Sequence, residues 1–363
     1  MLELETLRVI WWMLTGVLLM GFAVMDGFDL GSAMLLPFVA KTDQERRVVI
    51  NSIGPFWEGN QVWFILGGGA VFAAWPLLYG AAFSSLYLGL FIVLVALIIR
   101  PASIVYRSKL PDPRWRGGWD WSLFVSGLVC ALLFGVVFGN LFRGIAFAFD
   151  ADLRARPEIT LFGLLSPFAL LVGLVSVAML VLHGAAWLRL KTEGDVATRA
   201  RRVMPFAAIA FALLFTAAGL WLMSIDGYRI TSVFVADAPS NPLMKTVARV
   251  RGGWFANFDA HPSWWIVPVI AYAAVAIAAL TQRALVAFLA SSAVCIFTVG
   301  TAGIALFPFL LPSSLSPDSS LTVWDASSTQ TTLSTMLIAA LIFLPIILAY
   351  TAWIHRVMGG GFR

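Results

Sequence analysis

Nine apolar stretches recur along the chain, separated by shorter segments that hold most of its charge. A helix needs roughly 20 apolar residues to cross a hydrocarbon layer about 30 Å thick. The pattern therefore predicts transmembrane helices over 9–31, 55–77, 81–101, 121–142, 160–187, 204–225, 263–281, 284–310 and 332–354. No repeat of short period and no low-complexity tract interrupts them. The longest connection, about residues 226–262, contains Gly, Pro and aromatics, which reads as an ordered loop. The expected fold is an all-α integral membrane protein: one polytopic domain over residues 1–363, with two four-helix groups and the ninth helix appended. Gly67-Gly68-Gly69 and Pro308 fall inside expected spans and read as packing surfaces or kinks.

Composition agrees and excludes a soluble protein. Of the 363 residues 60% are hydrophobic and 12% charged, against roughly 45–50% and 25% in ordinary globular domains. The 15 Trp and 28 Phe suit interfacial belts and close packing against a bulky partner. The formal charge of +5 raises the question of nucleic acid, and the positions of the bases answer it. Ends and loops after odd-numbered spans hold 16 of the 24 Lys and Arg, including Lys41, Arg46, Arg47, Arg100, Arg107, Lys109, Arg189, Lys191, Arg199 and Arg356. The opposite side holds 8: Arg8, Arg143, Arg154, Arg156, Arg229, Lys245, Arg249 and Arg251. By the positive-inside rule the N-terminus is outside and the C-terminus cytoplasmic, so the basic excess is a topology signal. Glu3 and Glu5 stand where a cleavable signal would be basic, so the first span is expected to stay in the mature protein. Cys130 and Cys295 lie in apolar runs and read as small buried hydrophobes.

Several polar residues resist a lipid-facing reading. Asp26 and Asp29 are three apart in the first span and share a helix face. A central carboxylate costs roughly 2.5–3.5 kcal/mol on insertion scales, so such residues face protein or water. Glu58 and Gln61 share a face of the second span, flanked by Trp57, Asn60 and Trp63, and Arg100 closes the third. The orientation brings these groups to a similar depth, which predicts one polar cluster in the cytoplasmic half. Two roles stand open: a structural ion-pair network that holds three helices in register, or proton handling by carboxyls in a low-dielectric site, with Lys109 at the mouth of the path.

Other chemistry is poorly provided for. The chain has three His; His183 and His355 are the pair that could face one another near the cytoplasmic side, with ordinary polar helix ends as the alternative, and His261 lies in the outer loop. There is no Walker A loop and no Cys cluster, so neither ATP-driven work nor iron–sulfur chemistry is indicated. Any redox groups are expected in a partner.

Several motifs, in order, resemble subunit II of the cytochrome bd quinol oxidases: Leu7-Arg8 with Trp11-Trp12, Gly21-Phe22-Ala23-Val24 with Asp26-Gly27-Phe28-Asp29, and Trp57-Glu58-Gly59-Asn60-Gln61-Val62-Trp63. The likeness continues through Arg100-Pro101, Tyr106-Arg107-Ser108-Lys109, Trp119-Asp120-Trp121, Asp226-Gly227-Tyr228, Phe307-Pro308-Phe309 and Trp324-Asp325-Ala326, nearly the whole chain. The resemblance implies a multi-pass protein of the bacterial inner membrane, part of a respiratory complex that oxidises quinol and reduces oxygen to water. Its haems would be carried by a partner, subunit I, and a small accessory subunit is compatible with it. The chain itself would be haem-free, without catalytic or metal-ligating residues. It further implies a proton route through Asp26, Asp29, Glu58, Arg100 and Lys109, with Glu58 standing where family members often have Asp. Trp57 matches a position linked in some members to a structural quinone. The rival reading is a proton-coupled secondary transporter, which would work without a haem partner.

Overall fold

The structure is a computed structural model that describes residues 2–233 and 235–357. Helix α1 (Leu4–Met25) runs through Asp26 into α2 (Gly27–Val39), giving an apolar rod of 36 residues. There follow α3 (Asp43–Ile53), α4 (Trp57–Ala74), α5 (Pro76–Ser85), α6 (Tyr87–Tyr106) and α7 (Pro113–Arg143). Strands β1 (Phe147–Phe149) and β2 (Ala155–Pro157) precede α8 (Leu161–Leu164), α9 (Pro167–Lys191) and α10 (Gly194–Leu222). The remainder is β3 (Asp226–Ile230), β4 (Val247–Arg251), α11 (Ala256–Ala260), α12 (Ile266–Leu280), α13 (Ala284–Leu306), β5 (Phe309–Leu311), β6 (Leu321–Thr322) and α14 (Gln330–Val357).

Among the described residues eight helical segments are long and apolar enough to cross a membrane: the α1–α2 rod, α6, α7, α9, α10, Pro262–Leu280, α13 and α14. The stretch expected as the second span is α4, 18 residues long. Glu58, Asn60 and Gln61 in its first turns keep it outside that set by composition. Pro308 lies beyond the end of α13 rather than inside a span. The long connection folds into the antiparallel pair β3–β4, and two shorter pairs, β1–β2 and β5–β6, cover the same end of the molecule.

Local sequence sets the helix limits. Asp112 and Ser166 cap α7 and α9, each with proline at the first helical position, where a missing N–H costs nothing. Thr42 and Glu45 form a reciprocal capping box at the start of α3. Helix α9 lies at the centre, against α2, α7, α10 and α13. It gets close because small residues meet at the crossings. A Cβ on Gly31 would come within 2.8 Å of Gly184 N and 2.9 Å of its Cα. One on Gly135 would sit 2.7 Å from Gly173 Cα. Where lipid is as apolar as the helices, such backbone contact supplies dispersion that hydrophobicity cannot.

The two ends are tied by different polar networks. At one, Arg199 of α10 reaches the Val39 carbonyl and bridges Glu45 at 3.0 Å. At the other, the fully buried Arg8 donates to Ser327 Oγ at 2.8 Å, Ser240 Oγ at 2.9 Å and the Ala236 and Ala238 carbonyls. Lys245 there pairs with Asp325 at 2.9 Å.

Two outcomes follow for stability. Gly31→Val should destabilise the folded protein by about 1–3 kcal/mol through overpacking, read as a lower thermal midpoint. Gly219→Ala, with nothing within 4 Å of the added methyl, should not. The hydrogen bond from Arg199, with the Lys41 and Thr42 amides, holds the Glu45 carboxyl down at about 2. Its stabilisation is therefore complete above the ordinary pKa of 4.5 and is lost as pH falls from there through about 2. Glu45→Gln should lower the midpoint at neutral pH, and the gap to the parent should narrow on acidification through that window.

Candidate functional site

The α-helix is interrupted once in the first rod, at Asp26, and the interruption turns two carboxyls into the protein. Asp26, Asp29 and Arg100 are all completely buried. Arg100, from the last third of α6, places Nη1 2.7 Å from Asp26 Oδ1 and Nη2 3.3 Å from Gln61 Oε1 of α4. The amide of Asn60 donates to Asp29 Oδ2 at 2.8 Å. The Trp57 ring faces the guanidinium carbon at 5.9 Å, within cation–π range. Three helical elements, the α1–α2 rod, α4 and α6, thus meet at one ion pair.

Three polar atoms of this cluster, Asp26 Oδ2, Asp29 Oδ1 and Arg100 Nε, are buried with no hydrogen-bonding protein group among the described residues. Buried polar atoms are normally satisfied, and ordered water is the usual partner where protein groups are absent. The cluster can therefore accept or donate further bonds in a place sealed by side chains.

The expected single cluster needs correction at Glu58. Asp26, Asp29, Gln61 and Arg100 come together, but Glu58 is exposed; Lys109, expected outside the cluster, is exposed as well. Glu58 and Gln61 do share a side of α4, yet only Gln61, one turn further into the helix, reaches Arg100. Glu58 sits in the first turn and points outward. Lys109 follows the end of α6, nine residues beyond Arg100.

Between the buried cluster and Lys109 lies a network that sequence reasoning did not single out. Arg107 is seven residues after Arg100, hence on the same face of the helix and its short continuation, and is as deeply buried. It holds Asp120 of α7 at 2.5 Å and Asp43 at 2.8 Å. Arg46 shares Asp120 at 2.8 Å and Arg116 shares Asp43 at 2.8 Å. The seven-residue spacing of the two arginines was the available signal.

The histidines are placed differently from a ligand pair. His183 is completely buried with both ring nitrogens engaged, at 2.8 Å from Ser291 Oγ and 2.8 Å from the Val24 carbonyl. His261 is exposed, its ring 4.6 Å from that of Trp264, and the His355 side chain lies outside the described residues. Among the described residues no group of three or more His, Cys, Asp and Glu is arranged to hold a metal ion. Cys130 and Cys295 are free and buried.

Comparison with known proteins bears on this arrangement. Residues 7–358 match the family described as cytochrome bd terminal oxidase subunit II. The chain belongs to that family. It is 47% identical over 364 residues to the cytochrome bd-I ubiquinol oxidase subunit 2 of Escherichia coli K12, covering 99% of this chain and 96% of the relative. It is 46% identical over 363 residues to a probable cytochrome oxidase subunit 2 of Haemophilus influenzae, again covering 99% and 96%. The Bacillus subtilis cytochrome bd ubiquinol oxidase subunit 2 is 31% identical over 373 residues, covering 98% and 96%. A chain of the bd oxidase structure from Geobacillus thermodenitrificans shares the fold, with a TM-score of 0.73 at 18% identity over 97% of this chain and 98% of that one. The protein is thus a membrane-embedded subunit of a bd-type quinol:oxygen oxidoreductase, and the transporter alternative has no observation in its favour.

Removing one partner of a buried ion pair leaves an uncompensated charge, a loss of about 3–5 kcal/mol. Arg100→Met should accordingly lower the thermal midpoint sharply. The double variant Arg100→Met with Asp26→Asn should recover part of the loss, as differential scanning of the purified complex would read.

Proposed function

We propose that this chain is the haem-free subunit of a bd-type oxidase of the bacterial inner membrane. It assembles with a haem-bearing subunit I and carries protons from the cytoplasm toward the oxygen-reducing site. The relatives named as ubiquinol oxidase subunits support quinol as the reductant at the level of the complex. The chain crosses the membrane nine times, with α4 as the second span, the N-terminus outside and the C-terminus in the cytoplasm. The asymmetry of Lys and Arg supports that orientation. A small accessory subunit is compatible with it.

The observation that carries the proton reading is the charge count at the buried cluster. Two carboxyls face one guanidinium in a site without solvent exposure. The cluster balances in charge when one carboxyl holds a proton, and the open atoms of Asp26, Asp29 and Arg100 offer bonds to water that would bring or remove it. Lys109 and the Arg107 network lie on the cytoplasmic side of the cluster in this orientation, so Lys109 marks the mouth. Glu58 marks the exit. A carboxylate facing outward beside Val62 and Ile65 on a membrane helix is costly against lipid, so this face of α4 suits coverage by subunit I with a polar group opposite Glu58.

Haem belongs in subunit I on this reading. When bound there it supplies the electron transfer and oxygen chemistry, and His183, with both nitrogens bonded, is not poised as an axial ligand. A structural quinone, where one binds, would lie against Trp57, which is half-buried next to the exposed Glu58.

Asp26→Asn, Asp29→Asn and Glu58→Gln should each lower turnover-linked proton uptake by the assembled complex, by roughly 10²-fold where the group carries the proton itself. Haem absorbance should be unchanged. Unchanged uptake in a spectrally intact complex would leave these residues only a structural role.

A further inference from the structure

His183 lies beside the acidic junction. It sits on α9, next to Gly184, whose backbone touches Gly31 of α2. A Cβ on Gly27 would lie 3.6 Å from His183 Cδ2, so the ring is packed against the backbone between Asp26 and Asp29. Its other neighbours are Phe288, stacked at 5.1 Å and 15°, and Phe28, edge-on at 6.1 Å.

The hydrogen bonds fix the tautomer. The Val24 carbonyl can only accept, so Nε2 carries hydrogen and donates to it at 2.8 Å. In the neutral ring Nδ1 then accepts from the Ser291 hydroxyl at 2.8 Å. Val24 belongs to the last turn of α1, two residues before Asp26, where the helix is interrupted and carbonyls need partners from outside. A side chain from the central helix supplies one.

We propose that His183 is a positioning residue for the proton route: its Nε2–H bond to the Val24 carbonyl fixes the backbone that sets Asp26 against Arg100 and Asp29 against Asn60. It touches neither carboxylate and acts through the peptide chain between them. This rests on the proton reading given above, because only then does the placement of the two carboxyls affect turnover. The donor is what matters: Gln can present an N–H toward the same carbonyl, whereas Leu fills similar space without one.

The test uses the complete oxidase complex carrying His183→Leu or His183→Gln. Two quantities are read: hydrogen–deuterium exchange over residues 24–30, and turnover-linked proton uptake across a pH series. Misplacement of a reacting group by about 1 Å can cost up to roughly 10²-fold. His183→Leu should therefore lower uptake by about tenfold or more, change the pH profile and raise exchange at the junction, with haem absorbance unchanged. His183→Gln should restore both quantities to near the parent. Unchanged exchange and uptake in His183→Leu would overturn the proposal. So would equal damage in both variants, which would make ring packing rather than the donor the cause. Asp26→Asn is the separating control. If it leaves uptake unchanged while His183→Leu alone loosens the junction, the positioning of the acidic segment stands and the proton route falls.

Discussion

A carboxylate and a guanidinium 2.7 Å apart, neither touching solvent, are the constraint around which the rest of the chain is arranged. Desolvating both charges costs several kcal/mol each, and their attraction offsets this only when the geometry is held and the remaining polar atoms find partners. Asp26 comes from the interruption in the first rod, Arg100 from α6, and Gln61 and Asn60 from α4 supply part of the shell. Loss of register in any of these three helices would expose a charge to hydrocarbon.

The holding is done largely by α9. Its small residues let it press against α2 and α7, with the Leu180 and His183 side chains behind Gly27 of the acidic segment and the Leu180 and Gly184 backbone behind Gly31. His183 adds a directional bond to that contact. The ends are treated differently from the middle: Arg199 with Glu45 draws helices together where water can share the cost, and the buried Arg107–Asp120 pair shares its charges with the more exposed Asp43 and Arg46. Apolar packing and a few buried polar bonds do the work between them. The enclosed pair keeps open valences, on Asp26, Asp29 and Arg100, in a place that admits no bulk water.

Much of this was legible in the residues. Carboxyls three apart inside an apolar run have to face protein, and Arg100 at the end of another such run is the natural counter-charge. The membrane class followed from run lengths, and the family from ordered motifs. Glu58 was misjudged because helical spacing gives relative angles but no absolute phase. In α4, with Trp57, Val62 and Trp63 on several sides, composition does not say which side faces inward. Arg107 and Asp120 were overlooked because a base and an acid near a span end look alike whether they pair or are solvated, and only burial distinguishes them. His183 read as an ordinary helix end because nothing local announces a carbonyl 159 positions away.

The sequence alone determined that the chain packs long apolar helices, where its bases fall along them and which charges have to be sheltered, because these depend on transfer free energy and on spacing along one chain. Tertiary structure decided which of the sheltered charges meet. That depends on the rotation of each helix about its axis, set by small residues at crossings such as Gly31 with Gly184, and such contacts are non-local. Asp26 therefore finds Arg100, Asp29 finds Asn60, and Glu58 turns to the outside.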